Sequence, residues 1–362
     1  MHAFADAMRE HADVTVLTTL PPASAADPAE PSPVRVRRLP VFRDRSGAIR
    51  GYVQYLSYDV PLFFRLLFGR HDVIVAEAPP TTGLIGLLVA RLRRSRLVYY
   101  PGDVWSDAMA SMGAARWAIT VMRWLERRVA RGADRVLAVS PEIVERVQAL
   151  GAEPRRVALI GNGVDTTVFR QDLAPPASAR PYFVYTGTMS EWQGPQIFVR
   201  ALAELDDADV ELLFLGQGAA ERELRALAED VAPGRIRFGG LVSPEESARW
   251  IRGAVGALVS IVPGIGYDFA RPTKTYAAAA CGTPVLFAGP ATGGELVRDN
   301  RLGVAVGFEP SEVSQAMRLL REQSRSGETE RRRAERAGWA AAEASLAAVA
   351  ARAARVVLGT VD

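Results

Sequence analysis

Short apolar runs rich in β-branched residues alternate with helical patterns along the whole chain. In the first half DVTVLTTL (13–20), VRVRRLPV (34–41), DVIVAEAPP (72–80), RLVYYPGD (96–103), RVLAVS (135–140) and RVALIGNGVD (156–165) read as strands. In the second half PYFVYTGT (181–188), VELLFLGQG (210–218), RIRFGG (235–240), GALVSIV (256–262), TPVLFAG (283–289) and GVAVGF (303–308) do the same. Between them, WAITVMRWLERRVARGA, QIFVRALAEL, AERELRALAED and SPEESARWIRGA place apolar residues at helical spacing. Strand and helix alternating at this interval predict βαβ units and parallel sheets, an α/β class. TTVFRQDLAPPASARPYF, with Pro175 and Pro176 among small residues, reads as a linker. The expected division is a first lobe over 1–170, a second over 171–330, and an Ala/Arg-rich helical segment over 331–362. That last segment either covers the second lobe or crosses back to the first.

The opening MHAFADAMREHADVTVLTTL starts inside an amphipathic helix, with Phe4, Ala7 and Met8 on one face and a strand following at once. A doubly wound lobe ordinarily begins with a strand, whose loop meets the ligand. The first lobe is therefore expected to lack its first strand. Losing a central strand would expose a row of unpaired backbone groups, so the favoured reading is a start at a methionine internal to a longer protein.

Composition narrows the class. With 362 residues, 49% hydrophobic and 23% charged, the chain is a folded protein of about two domains. One cysteine, Cys281, excludes an internal disulfide framework and suits a reducing cytoplasm; it reads as a small buried hydrophobe at a helix end. The long uncharged run from Thr275 to Gly294 is broken by Pro284, Pro290 and glycines, so it is no membrane span. The net charge of +3 is spread among interleaved acids and does not point to nucleic acid.

Of 44 basic residues only Lys274 is a lysine. It stands in RPTKTYAAAACGTP (271–284), where Pro272 and Thr273 suit a helix start, the alanines favour helix, and Gly282 suits the stop. A cation in a first helical turn opposes the helix dipole. It is better placed there if an anion such as phosphate shares the site with Arg271, Thr273 and the free N–H groups. PATGGELVRD (290–299) sets Gly293 and Gly294 ahead of another helix. Two such starts after successive strands point to a diphosphate-containing ligand in the second lobe. The strand–GxG–helix junction at Gly216 is weaker evidence. Asn162 and Gly163 in GNGVD tolerate positive φ and suit a sharp interdomain turn.

The ordered series GNGVD, YTG, GQG, GGLV, PTKTYAAAACGTPV and GGELV resembles the retaining nucleotide-sugar glycosyltransferases of family 4, with the two-lobed GT-B fold, over essentially the whole chain. DVIVAEAPPTTG and YYPGDVW resemble the branch that builds bacterial O-antigen and capsule polysaccharides. The resemblance implies two Rossmann-like lobes facing each other across a cleft. The second would hold a nucleotide-sugar donor and the first a hydroxyl acceptor, with retention of anomeric configuration and no metal or other cofactor. It places Gly187 and Thr188 near the donor diphosphate, Leu241 and Val242 against the base, and Gly294 and Glu295 near the sugar or phosphates. Lys274 would neutralise the departing diphosphate.

The chain also departs from the family pattern. Two glutamates eight positions apart are replaced by Phe269, with Asp268 beside it, and by Ala277. The usual phosphate-binding Arg and Lys correspond to Thr188 and Gln193, leaving Arg271 and Lys274 to balance the phosphates. A first-lobe histidine is replaced by Gly102, next to Asp103, which either positions the acceptor hydroxyl or caps the following helix. A degenerate member that binds nucleotide or a protein partner without catalysis is the alternative, and an epimerase on the same fold is a third. The acceptor could be an envelope glycan, a lipid-linked saccharide or a secondary metabolite.

Two apolar stretches bear on peripheral membrane contact from the cytoplasmic side. RWAITVMRWLERRVARGADR either packs its apolar face on the sheet, the favoured reading, or lies on an anionic membrane. GYVQYLSYDVPLFFRLLFGR either lines an acceptor pocket, touches membrane or forms a kinked core helix.

Overall fold

The computed structural model describes residues 2–21, 34–43, 49, 52–111 and 113–359. The chain divides into two compact units, Met1–Asn162 with Val349–Asp362, and Gly163–Ala348.

The first unit carries β1 (Thr15–Thr19), β2 (Arg35–Leu39), β3 (Val73–Glu77), β4 (Arg96–Tyr100), β5 (Arg135–Ala138) and β6 (Val157–Leu159). Its helices are α1 (His2–Arg9), α2 (Tyr52–Phe68), α3 (Pro80–Arg93), α4 (Trp105–Ser111), α5 (Arg116–Gly132) and α6 (Pro141–Ala149). All pairings are parallel, but they form two sheets: β1 with β2, and β3-β4-β5-β6. The opening helix is amphipathic as read. Phe4 is buried with Val98, Leu137 and Ile160, and Ala7 and Met8 pack against the same cluster.

The second unit carries β7 (Tyr182–Thr186), β8 (Glu211–Leu215), β9 (Ile236–Gly240), β10 (Gly256–Ser260), β11 (Val285–Ala288) and β12 (Gly303–Val306). Its helices are α7 (Gln196–Ala203), α8 (Glu221–Val231), α9 (Pro244–Gly253), α10 (Thr273–Ala280), α11 (Ala291–Asp299), α12 (Pro310–Arg325), α13 (Glu328–Arg331) and α14 (Arg333–Glu343). The sheet is parallel throughout, in the order β12-β11-β10-β7-β8-β9. That order reverses between β7 and β10, which is where a doubly wound sheet opens a ligand crevice. Helices cover both faces. One core layer centres on Val184, Leu213, Val259 and the α10 alanines, the other on Phe183, Phe198, Phe214 and Met317.

The alanine run explains how α10 fits. Ala277–Ala280 are buried, and Tyr276 stacks on Trp339 of α14 at 6.2 Å between ring centres. The carbonyls at its C-terminal end accept from buried arginines: Arg333 Nη1 to Cys281 O and Arg336 Nε to Gly282 O, each 2.9 Å. Gly282 takes φ 67° as the helix stops. Cys281 is fully buried, and burial pushes its thiol up to about 12.

Two organisational expectations are corrected. The proline-rich stretch near Pro175 is not a free linker, and the second unit begins at Gly163 rather than 171. Arg249 Nε donates to Ala174 O at 3.0 Å and Arg252 Nε to Gln171 O at 2.5 Å, so α9 holds that segment against its own unit. The positive φ near the boundary belongs to Gly161 (85°), not to Asn162 or Gly163. Gly161 turns the chain just after Ile160 N completes its bond to Ala138 O. The final helix, α15 (Leu346–Leu358), places Val349, Ala350, Ala353, Ala354 and Val357 in the core of the first unit. There Arg352 Nε donates to Ile160 O at 2.9 Å.

Candidate functional site

The crevice of the second unit is built where its two central strands part. β7 pairs with β8 along five residues, from Tyr182–Glu211 to Thr186–Leu215, but with β10 only at Phe183–Gly256 and Val184–Ala257. The C-terminal halves of β7 and β10 are thus free to diverge, and the loops beyond them carry the predicted residues.

Glycines let the backbone come close here. Gly187 takes φ 100° and Gly216 φ 127°. A Cβ on Gly216 would lie 2.1 Å from Gly187 O, so no side chain fits. Gly187 N donates to Leu215 O at 2.8 Å, and Gly216 N to Gly240 O at 2.6 Å, tying the ends of three strands together. Gly187 and Thr188 are exposed, as a surface for an incoming ligand requires.

Lys274 lies in the first turn of α10, at the mouth of this crevice. Its Nζ donates to Gln193 Oε1 at 3.1 Å and sits 3.7 Å from the centre of the Tyr185 ring. Gln193 is itself buried, and its Oε1 lies 2.5 Å from the Tyr185 hydroxyl, which also has Thr188 O within 2.9 Å. Among the described residues no carboxylate pairs with the ammonium. Burial lowers the Lys274 pKa to about 7. The residue keeps some accessible surface, so the drop reflects atoms packed around its charged end rather than full enclosure. The ammonium is thus held by an aromatic face and one amide oxygen.

The other predicted donor residues fall into two groups. Thr273 is exposed at the first position of α10, and Arg271 is half-buried in the preceding loop. Leu241, beyond Gly240 (φ 67°), is 70% exposed, a large apolar side chain left open, while Val242 packs on the core. Gly293 and Gly294 do not precede α11; they lie inside its first turns and are buried. A Cβ on Gly293 would meet Phe287 Cζ at 2.4 Å and one on Gly294 would meet Ala305 at 3.1 Å, so these glycines let the helix approach its sheet. Glu295 is exposed on the same helix. Ala277, at the family's second glutamate, is buried in the core.

Sequence reading treated Gln193 only as a lost cation and passed over Tyr185, Ser190 and Ser260. The Oγ atoms of Ser190, beyond β7, and Ser260, ending β10, are buried with no partner among the described residues. Only the sheet order brings these positions together.

In the first unit Asp103 follows β4. Its Oδ1 accepts from Val104 N at 2.8 Å, and burial raises its pKa above the usual carboxylate range. The N-terminal turn of α4 is instead met by Glu126, whose buried carboxylate accepts from Ser106 N at 3.2 Å. Glu77 ends β3 in register with Tyr100; it is exposed, and partial desolvation raises its carboxyl as well. Two carboxyl groups raised by desolvation thus follow adjacent strands, Glu77 at the end of β3 and Asp103 three residues beyond β4.

These features define a two-lobed α/β protein whose second lobe has a switch point between β7 and β10. Residues 1–163 match the Glycosyl transferase 4-like domain and 180–323 the Glycosyl transferases group 1 domain. The D-inositol 3-phosphate glycosyltransferase 1 of Catenulispora acidiphila is 31% identical over 284 residues, 70% of this chain and 64% of that protein. The D-inositol 3-phosphate glycosyltransferase of Paenarthrobacter aurescens is 31% identical over 212 residues, 54% of this chain and 50% of that protein. The chain thus spans between half and two thirds of these relatives. Sucrose-phosphate synthase from Thermosynechococcus elongatus superposes with TM-score 0.75 at 18% identity, covering 99% of this chain and 91% of that one. WaaG, a glycosyltransferase involved in lipopolysaccharide biosynthesis, gives 0.72 at 15%, covering 99% and 95%. Anabaena HepE in complex with UDP gives 0.68 at 16%, covering 91% and 87%. The fold is GT-B, and the chain belongs to the family 4 type of glycosyltransferases.

Proposed function

We propose that this protein is a retaining glycosyltransferase that moves a hexose or amino sugar from a nucleotide-diphosphate sugar to a hydroxyl acceptor, without a metal. The observation that carries this reading is the Lys274 ammonium, held by Gln193 and the Tyr185 ring at the switch point with no carboxylate to balance it. Negative charge develops on the diphosphate as the bond to the sugar's anomeric carbon breaks, and a preorganised cation is worth most at that moment. Gly187, Thr188, Arg271 and Thr273 line the same approach, and exposed Leu241 offers an apolar surface for the base. Glu295, exposed on α11, is assigned to meet the sugar or ribose.

The acceptor is assigned to the first unit, where Asp103 orients its hydroxyl and Glu77 lies on the neighbouring strand end. The lone buried thiol suits a cytoplasmic setting, with the protein resting on the membrane surface that presents a lipid-linked acceptor. One observation favours the non-catalytic alternative: Ala277 is buried where the family carries a glutamate, so a ribose contact must come from elsewhere.

A thermal-shift panel with UDP, GDP, dTDP and ADP tests the donor site. A nucleotide at a hundred times its dissociation constant stabilises by about 2.7 kcal/mol. The sugar nucleotide of whichever base binds is then offered for slow hydrolysis and for transfer. Binding with neither hydrolysis nor transfer supports the non-catalytic reading; no response from a folded protein removes the enzyme and leaves the non-catalytic reading that takes a protein partner.

A further inference from the structure

Large exposed apolar side chains are concentrated on the first unit, on three helices packed side by side, α2 against α3 and α3 against α5. The outer stripe of α2 reads Val53, Leu56, Val60, Phe64 and Phe68, with Phe68 81% exposed. These positions recur every three or four residues, so they form one continuous face. α3 adds Leu88 and Leu92 at one helical turn's spacing. α5 turns Trp117, Val121 and Trp124 outward, with Trp117 68% exposed, while Ala118, Met122, Val129 and Ala130 face inward. α5 thus packs one apolar face on its unit, as favoured from the sequence, and leaves both tryptophans outside that packing.

Charge on this face has one sign. The only acids on the three helices, Asp59 and Glu126, are buried. Arg65, Arg91, Arg116, Arg127 and Arg128 are exposed, and Arg128 lies over the Trp124 ring at 5.5 Å. An apolar surface whose own helices expose guanidinium groups and no carboxylate does not suit a second copy of itself, which would oppose like charges. It does not suit nucleic acid either, whose phosphates would not use a stripe of Leu, Val and Phe. It does suit a bilayer interface, where apolar and indole groups enter the headgroup layer and arginines meet anionic lipid.

We propose that the outer face of α2, α3 and α5 is a docking surface for an anionic lipid bilayer, holding the protein flat on the membrane. The inference deepens the membrane part of the proposed function and rests on that part alone, so it is tested without any sugar transfer. No helix is long and apolar enough to cross a membrane among the described residues, and docking needs none.

The test is flotation with vesicles of phosphatidylcholine alone and of phosphatidylcholine with roughly one-third phosphatidylglycerol. Binding is expected to the anionic vesicles, to weaken with salt, and to quench tryptophan fluorescence when brominated lipids are used. Losing one surface arginine costs about fivefold in partition, so R116A/R127A is expected to lose about thirtyfold. F64S/F68S and W117S/W124S should each lose at least about tenfold. All these sites are exposed, and an unchanged melting temperature with unchanged nucleotide response shows that each variant is folded with its donor site intact. Equal binding to neutral and anionic vesicles overturns the assignment of lipid charge. No binding to either, or a dimer in light scattering that the same substitutions dissolve, overturns the proposal itself. Loss of nucleotide response with vesicle binding retained would instead strike only the donor-site reading.

Discussion

Replacing Lys274 by methionine should make the free protein more stable while removing its response to nucleotide. The fall of this lysine from 10.5 to about 7 disfavours the ammonium by about 5 kcal/mol, at about 1.4 kcal/mol per unit, of which about 4 kcal/mol applies at pH 7, where half the folded lysines have released the proton. Methionine keeps the length and loses the charge. Against that gain stand the attraction to the Tyr185 ring, about 2 kcal/mol when desolvated, and the hydrogen bond to Gln193. Gln193 Oε1 keeps the Tyr185 hydroxyl as a donor, so the second loss is at most about 1 kcal/mol. A net gain of about 1 kcal/mol remains, or about 2–4 °C in melting temperature for a unit of this size. The pH dependence has a definite sign. The folded lysine releases its proton near 7 and the unfolded one near 10.5, so the unfolded chain binds more protons between those values. Wild-type stability therefore rises from about pH 7 toward 10.5 relative to the variant, and the variant's advantage is largest at and below 7. Calorimetry at pH 6, 7 and 8.5, with and without nucleotide, reads both effects. A variant that melts lower at pH 6 and still responds to nucleotide would refute the reasoning.

Other substitutions probe the same arrangement. Gln193→Glu sets a carboxylate where the amide oxygen receives Lys274; titration calorimetry should show nucleotide affinity at least about tenfold weaker, because the new charge competes with phosphate. The wild-type affinity itself should fall as pH rises above about 7, where the free ammonium is lost; a flat profile from pH 6 to 9 would speak against Lys274 as the phosphate ligand. Gly216→Ala forces a Cβ to 2.1 Å from Gly187 O at φ 127°; denaturant titration should find a loss of about 3–5 kcal/mol, with nucleotide response gone in whatever remains folded. Asp103→Asn should leave nucleotide binding intact and lower turnover on an acceptor by at least about a hundredfold, and equal turnover would return Asp103 to a turn-forming role.

Much of this molecule was legible from residue order alone. The alternation of apolar runs and helical patterns located the twelve strands of the described residues, because each buried parallel strand needs a short β-branched run whatever surrounds it. The start of α10 at Thr273 and its stop at Gly282 followed from proline, alanine and glycine preferences, which act within a few residues. A single lysine among arginines marked the site's cation. The partners that give it meaning were not legible: Gln193 lies 81 residues away, and only the reversal of sheet order between β7 and β10 brings the two loops together. Residues 166–180 looked like a linker because composition cannot show that Arg249 and Arg252 take up their carbonyls.

The clearest case is α5, whose helical pattern offers apolar side chains on more than one face. Sequence periodicity cannot choose between them. Tertiary structure decides, because α3 and α5 approach closely: a Cβ on Gly83 would lie 3.0 Å from Val129, and one on Gly132 would lie 2.7 Å from Leu87. At that separation Ala118, Met122, Glu126, Val129 and Ala130 take the buried side of α5, and both tryptophans are left to meet whatever lies outside.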